Sequence, residues 1–394
     1  MVVFLPFEGV RPALKGSEKI DDRISPPYDV IGEKHLAELQ SKKGNVTRFT
    51  LLPENGRYGK AREELDGMIA DGSLAFDPPS FYLYRQTFDE HGRRMARTGI
   101  VGRLKTEDYS KGNVMPHEET FSKVKEDRLN LLRDVETHLE SIFGIFTGLP
   151  KGLWDTIHES ARPLYIYEDP AGVTHEYLGI SDPDVTHEIT KALADQKMLI
   201  ADGHHRYETA LNYSRENPGD ERKSFVLATL VAEDDPGMVI WPTHRVVNRP
   251  DVDERTLVGR LGKELSVAGP MGEKEFRERL GDHLMGFAFT SGNFYLADCP
   301  RKDGLWSLDT YAVQEAVLKN ALGTDGAGKE VTYDAEIDSA ISKALDGEAS
   351  VSIILNDPSF ETIWDLAGKG LRMPKKTTFF YPKIWSGFVF YRMV

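Results

Sequence analysis

The chain has 394 residues, 40% of them hydrophobic, a formal net charge of −14 and one cysteine, Cys299. That length suggests two or three domains with apolar material for a large core, and the composition is not that of a disordered chain. The acidic balance argues against a general attraction to nucleic acid, and one cysteine excludes both a disulfide framework and a cysteine-based metal site.

The opening "MVVFLPFEGVRP" has no basic stretch and too short an apolar run for a signal peptide. No apolar run approaches the ~18 residues of a membrane helix. A soluble cytoplasmic protein without a membrane partner is expected. In "ISPPYDVI" (residues 24–31) two prolines fix a turn, which presents Tyr28 and Asp29 as candidates for ligand contact. "YGKAREELDGMIADGSL" (58–74) predicts a helix closed near Gly72. "SFYLYRQTF" and "TGIVGRLKT" predict paired strands across "DEHGRR".

"MPHEETFSKVKEDRLNLLRDVE" (115–136) predicts a polar loop that becomes a helix near Ser122. His117, Glu118 and Glu119 in that loop could bind Mg²⁺ or act as a base on a substrate hydroxyl; a solvated acidic loop is the plain alternative. "SIFGIFTGL" and "PLYIYED" predict strands, "DVTHEITKALADQ" a helix, "KMLIAD" a strand and "SFVLATLVA" a buried strand. After "WPTHRVV", a polar stretch near residues 248–254 marks a plausible boundary. His244 and Arg245 follow an apolar strand, as ligand-facing groups or as an ion pair at its end. In the aromatic and basic tail, Lys375 and Lys376, with Tyr381 and Lys383, could supply cations to a phosphate.

The densest chemistry lies in "LIADGHHRYETAL" (199–211). An apolar strand ends in Asp202 and Gly203; a helix follows whose Tyr207, Ala210, Leu211 and Ser214 share one face. Asp202 is expected at the N-cap or one residue from it, its carboxylate accepting from the amide of His204 or His205. Gly203 permits the tight turn. Free amides and the positive end of the helix dipole then favour an anion, phosphate above all, beside His204, His205 and Arg206. Asp202 is left for chemistry or for a metal ion. "GTDGAGKE" (323–330) has phosphate-loop spacing but follows a predicted helix and lacks the Ser or Thr that holds Mg²⁺, so it is read as a connection.

The turn "DGHHR" resembles the signature of the ParB/sulfiredoxin-like superfamily, particularly its free-serine kinase branch. The stretches "ISPPYDVI", "MPHEETFSKVKEDRLNLL", "IADGHHRYETAL", "WPTHRVV" and "MPKKTTFFYPKIWSGFVF" resemble domain-of-unknown-function family 1015 over nearly the full length. That resemblance implies a mixed α/β (α+β) fold: a ParB/sulfiredoxin-like core with large insertions over residues 1–250, and a C-terminal α/β region over 251–394 whose last strand returns to the main body. It matches Asp202 to the catalytic aspartate of the serine kinases and favours Asp127 and Arg128, on which the family pattern ends. A histidine stands where sulfiredoxin carries its cysteine.

The expected activity is a kinase-like phosphotransferase using ATP or ADP and Mg²⁺ on a small hydroxylated metabolite such as free serine. Asp202 and Glu118 or Glu119 would be catalytic, Asp202 the metal ligand, and residues 203–206 with His244 and Arg245 the phosphate site. Tyr28, Asp29, His117, Asp127, Arg128 and Lys376 would face the substrate. Alternatives are a ParB-like nucleotide switch or DNA-associated protein, for which this acidic chain lacks a basic helix-turn-helix, and a phosphatase of a phosphorylated metabolite.

Overall fold

A computed structural model of the chain describes residues 1–51, 58–120, 122–249, 251–298, 304–326 and 328–394; the side chains of Asp29 and of residues 122–125 lie outside the description. The fold is mixed α/β and divides into two compact units, residues 1–116, 120–238 and 382–394 forming one, and residues 117–119 and 239–381 the other.

The first unit is built on a large mixed sheet. Its main path runs Val114–Pro116, Met198–Asp202, Ile142–Phe146, Phe225–Ala232, Arg93–Lys105, Phe81–Glu90, Thr174–Ile180 and Arg162–Glu168. Phe225–Ala232 is buried along its whole length, as its unbroken apolar run requires. Phe81–Glu90 and Arg93–Lys105 pair from Glu90 opposite Arg93, so a two-residue turn joins them. His91 and Gly92 both have positive φ there (50° and 78°), the backbone that matches the twist of a tight hairpin. A smaller sheet orders Leu74–Phe76, Gly9–Pro12, Phe390–Arg392 and Thr137–His138, which seats the C-terminal strand inside this unit. Helices Ser122–Val135 and His204–Glu216 belong to the same unit.

The second unit has a six-stranded antiparallel sheet ordered Ser266–Met271, Phe294–Asp298, Met285–Phe289, Val351–Leu355, His244–Val247 and Val331–Asp334. One helix starts at Asp309 in α form and continues as a π-helix over Val313–Ala321, where the Leu322 amide reaches back five residues to the Val317 carbonyl at 2.9 Å. The glycine-rich 323–330 stretch follows this helix, and Thr324 Oγ1 donates to the Glu330 carboxylate at 2.9 Å. It is a connection between a helix and a strand. Among the described residues no helix is long and apolar enough to cross a membrane.

Candidate functional site

The strand Met198–Asp202 lies parallel to Val114–Pro116 and antiparallel to Ile142–Phe146, with a bulge between Ile200 and Asp202. Its buried apolar residues fix the strand, and the bulge re-aims its last residue. Helix His204–Glu216 starts at once. Strand, turn and helix are therefore where the residue pattern puts them.

Gly203 itself occupies the N-cap, with φ 91° and ψ 27°. Asp202 lies one residue outside, within the expected placement. Two cations meet its carboxylate: Lys383 Nζ donates to Asp202 Oδ2 at 2.7 Å, and Arg206 Nη2 stands 3.6 Å from Oδ1. The Arg206 guanidinium folds back over the turn and donates to the Ser141 carbonyl. A Cβ at position 203 would sit 3.0 Å from Ile142 Cγ2 and 3.1 Å from Arg206 Cζ. Gly203→Ala is expected to cost about 1–2 kcal/mol, from the left-handed backbone and this crowding. Urea unfolding checks it; an unchanged midpoint would show that the turn relaxes freely.

His204 is buried and His205 half-buried. One turn on, the Tyr207 hydroxyl donates to the Glu107 carbonyl at 3.0 Å and accepts from the Glu107 amide at 2.9 Å. Burial raises that hydroxyl well above its ordinary pKa, so it stays protonated and holds the helix start in place.

Lys383 is positioned through its backbone. Gln86 Nε2 donates to the Lys383 carbonyl at 2.8 Å, and Arg97 donates to the adjoining Pro382 carbonyl. Arg97 is 1% exposed, also donates to Gln86 Oε1 at 2.5 Å, and lies 4.9 Å from the centroid of the Phe143 ring. Two residues on, the Trp385 amide donates to the Tyr84 hydroxyl at 3.2 Å; Tyr84 bonds His175 Nδ1 at 2.7 Å, and His175 Nε2 bonds Asp169 at 3.2 Å. This buried chain of bonds fixes the segment that carries Lys383.

Tyr28, Asp127 and Arg128 come together. The Arg128 guanidinium donates to the Thr50 carbonyl at 2.9 Å, pairs with Asp127, and lies 5.5 Å from the Tyr28 ring centroid. Burial pushes the Asp127 carboxyl up, but the Tyr58 hydroxyl and Arg128 hold it below its ordinary value. Asp29 has its side chain outside the described residues. Arg128 and Arg206 both line one cavity with Thr50, His138, Glu140 and Thr209. None of His138, Glu140 and Thr209 was legible as a site residue. A histidine and a glutamate just before the strand "SIFGIF", and a threonine three residues after Arg206 on the same helix face, were the available signals.

The remaining candidates belong to the second unit. His117 is fully buried and its Nε2 lies 2.9 Å from Thr378 Oγ1. Glu118 Oε1 accepts from the amides of Thr377 at 3.0 Å and Thr378 at 3.3 Å, which holds that turn closed. Lys376, just before it, is exposed with φ 58°, and Glu119 is exposed. His244 Nδ1 accepts from the Leu355 amide at 3.1 Å. Arg245 is buried, donates to the Thr243 carbonyl and lies 5.4 Å from the Tyr333 ring centroid; burial lowers its pKa to about 10.

Burial also lowers the pKa of His244 and of His138 to about 4. Both are neutral when folded and gain a proton on unfolding below about pH 6.5. Their stabilisation is therefore full above pH 6.5 and is lost as pH falls from there towards 4, by about 3 kcal/mol for each residue. Stability measured between pH 7 and 4.5 should fall accordingly, less steeply in His244→Gln; equal slopes in the two proteins would contradict this.

Among the described residues no group of three or more His, Cys, Asp or Glu side chains converges as a metal cage. Asp202 offers one carboxylate, which fits Mg²⁺ carried on nucleotide phosphates and not a cage made by protein alone.

Solved structures similar to this chain include a free serine kinase in complex with AMP, at 15% identity and TM-score 0.39, covering 71% of this chain and 86% of that one. A conserved hypothetical protein from Pyrococcus furiosus, at 15% identity and TM-score 0.38, covers 73% and 92%. Overlap this loose transfers no residue roles. A polyamine aminopropyltransferase from Prochlorococcus marinus (strain MIT 9313) is 32% identical over 129 residues, which are 32% of this chain and 41% of that protein. The matched part thus spans about two fifths of that relative's length. The model of a family described as "Protein of unknown function (DUF1015)" matches residues 4–317, more than half of the chain, and the chain belongs to that family.

Proposed function

We propose that the protein is a nucleotide-dependent phosphotransferase acting on a small hydroxylated metabolite, of the free-serine kinase type, within the ParB/sulfiredoxin-like superfamily and in the cytoplasm. The observation that carries this reading is the turn from Asp202 to Arg206. Gly203 in a left-handed backbone opens helix His204–Glu216, and the positive end of the helix dipole at this turn suits phosphate oxygens. Arg206, His204 and His205 add donors at the same place. Phosphoryl transfer needs mainly positioning and charge neutralisation, and this turn supplies both.

Asp202 would orient the accepting hydroxyl or hold Mg²⁺, and Lys383 would set its position and balance its charge. Mg²⁺, when bound, neutralises charge on the nucleotide phosphates.

Thermal unfolding with ATP, ADP and AMP, each with and without Mg²⁺, tests the binding step. A nucleotide at about 100 times its Kd should stabilise the protein by about 2.7 kcal/mol. No shift with any nucleotide would contradict the reading.

A further inference from the structure

On the large sheet of the first unit, a cleft of about 560 Å³ lies away from the Asp202 turn. Asp202 pairs with Phe143 near the start of strand Ile142–Phe146, whereas Ala232, in the cleft wall, pairs with Phe146 at its end. The faces differ as well. Arg85 and Thr87 line the cleft, as do Ala96 and Thr98, while the residues between them, Gln86 and Arg97, hold the backbone of the Lys383 segment. Successive strand residues point to opposite faces, so the cleft and the Lys383 segment lie on opposite sides of the sheet. The volume is in the ~300–1,000 Å³ range of small-molecule sites.

An aromatic wall bounds the cleft. Trp154 and His158, one turn apart on helix Lys151–Ser160, stack with centroids 5.7 Å apart at 25°. An indole face attracts flat apolar groups and cations. Burial, and then Arg85, lowers the His158 pKa below its ordinary value, so this imidazole is neutral at pH 7 and adds no positive charge.

The charges set the sign of the ligand. Three carboxylates line the cleft, those of Glu176, Asp234 and Asp235, against the guanidinium of Arg85 alone. Arg85 stands 3.6 Å from Glu176, which balances that pair. Asp234 and Asp235 form no ion pair among the described residues. The Asp235 carboxylate accepts from the Thr98 amide at 3.0 Å and the Gly237 amide at 2.8 Å, which fixes it at the cleft. Burial still pushes its carboxyl above the ordinary value. A fixed, half-buried carboxylate without a cation is costly, and a cationic ligand relieves that cost. Among the described residues no three such side chains converge on a metal ion, and the cation that an indole wall favours is organic.

We propose that this cleft binds a small organic amine with a flat apolar body, the ammonium held by Asp234 and Asp235 and the body laid on Trp154. The site stands on the cleft and its lining and does not depend on the phosphotransferase reading.

Calorimetric titration of the full chain with three probes of one shape tests it. Tyramine, 4-hydroxyphenylethanol and 4-hydroxyphenylacetate share a body and carry a positive charge, none and a negative charge. Tyramine should bind at least ~10-fold more tightly than the neutral alcohol, the equivalent of one charge-assisted hydrogen bond, and the acid should bind most weakly. That preference should shrink as salt is raised. Asp234→Asn, at an exposed turn position, should weaken tyramine about 5-fold or more and leave the alcohol unchanged. Trp154→Leu should weaken both by about 3–10-fold; if it does not fold, Asp234→Asn alone decides. The alcohol or the acid binding as tightly as tyramine, tyramine affinity unchanged in Asp234→Asn, or no tyramine binding at millimolar concentration would overturn the site.

Discussion

Asp202→Asn is expected to leave the protein folded and to lower phosphoryl-transfer turnover by about 10²–10³-fold, with nucleotide affinity changed far less. The structure sharpens the reason. Gly203, not Asp202, holds the N-cap, so the substitution leaves the cap residue in place. It removes the negative charge that Lys383 meets at 2.7 Å and Arg206 faces at 3.6 Å. The Asp202 side chain is 26% exposed, so the lost ion pairs should cost about 1 kcal/mol or less in stability. Steady-state rates together with nucleotide titration of the same preparation separate the two effects. Near-normal turnover would leave Asp202 as a counter-ion for Lys383 and take the chemistry away from this residue.

The largest expected change in stability is at Arg97. Arg97→Met should lower it by about 2–4 kcal/mol, read from urea unfolding. The guanidinium is buried, and its removal leaves Gln86 Oε1 and the Pro382 carbonyl without a donor, each at about 1–3 kcal/mol; better packing of a neutral side chain returns part of this. The same loss should loosen the segment that carries Lys383, so turnover should fall even in preparations that are fully folded. A loss below about 1 kcal/mol would show that the Pro382 carbonyl finds another donor.

Much of the fold was legible because its signals are local. The apolar run of 225–232 allowed only a buried strand, the "DEHGRR" turn announced a hairpin, and "ADGHHR" marked the junction of strand and helix. Asp202 stands one residue before the N-cap, inside the expected placement, because a glycine able to adopt φ 91° takes the cap position itself. Contacts across long stretches of chain were not legible. Lys383 meets Asp202 across 181 residues and Gln86 holds the Lys383 carbonyl across 297; no spacing rule reaches that far. The cavity beside Arg206 was hidden likewise, since His138, Glu140 and Thr209 come from separate elements and none forms a motif alone.

Phosphorus NMR of the purified protein with Mg²⁺, ATP or ADP, and a mixture of small hydroxylated amino acids tests the phosphotransferase reading most directly. The expected spectrum gains a phosphomonoester resonance that grows as the terminal phosphate of the nucleotide disappears, in equal amount, and grows about 10²–10³-fold more slowly with Asp202→Asn. Nucleotide that stays intact although bound, or that yields only inorganic phosphate, would contradict it.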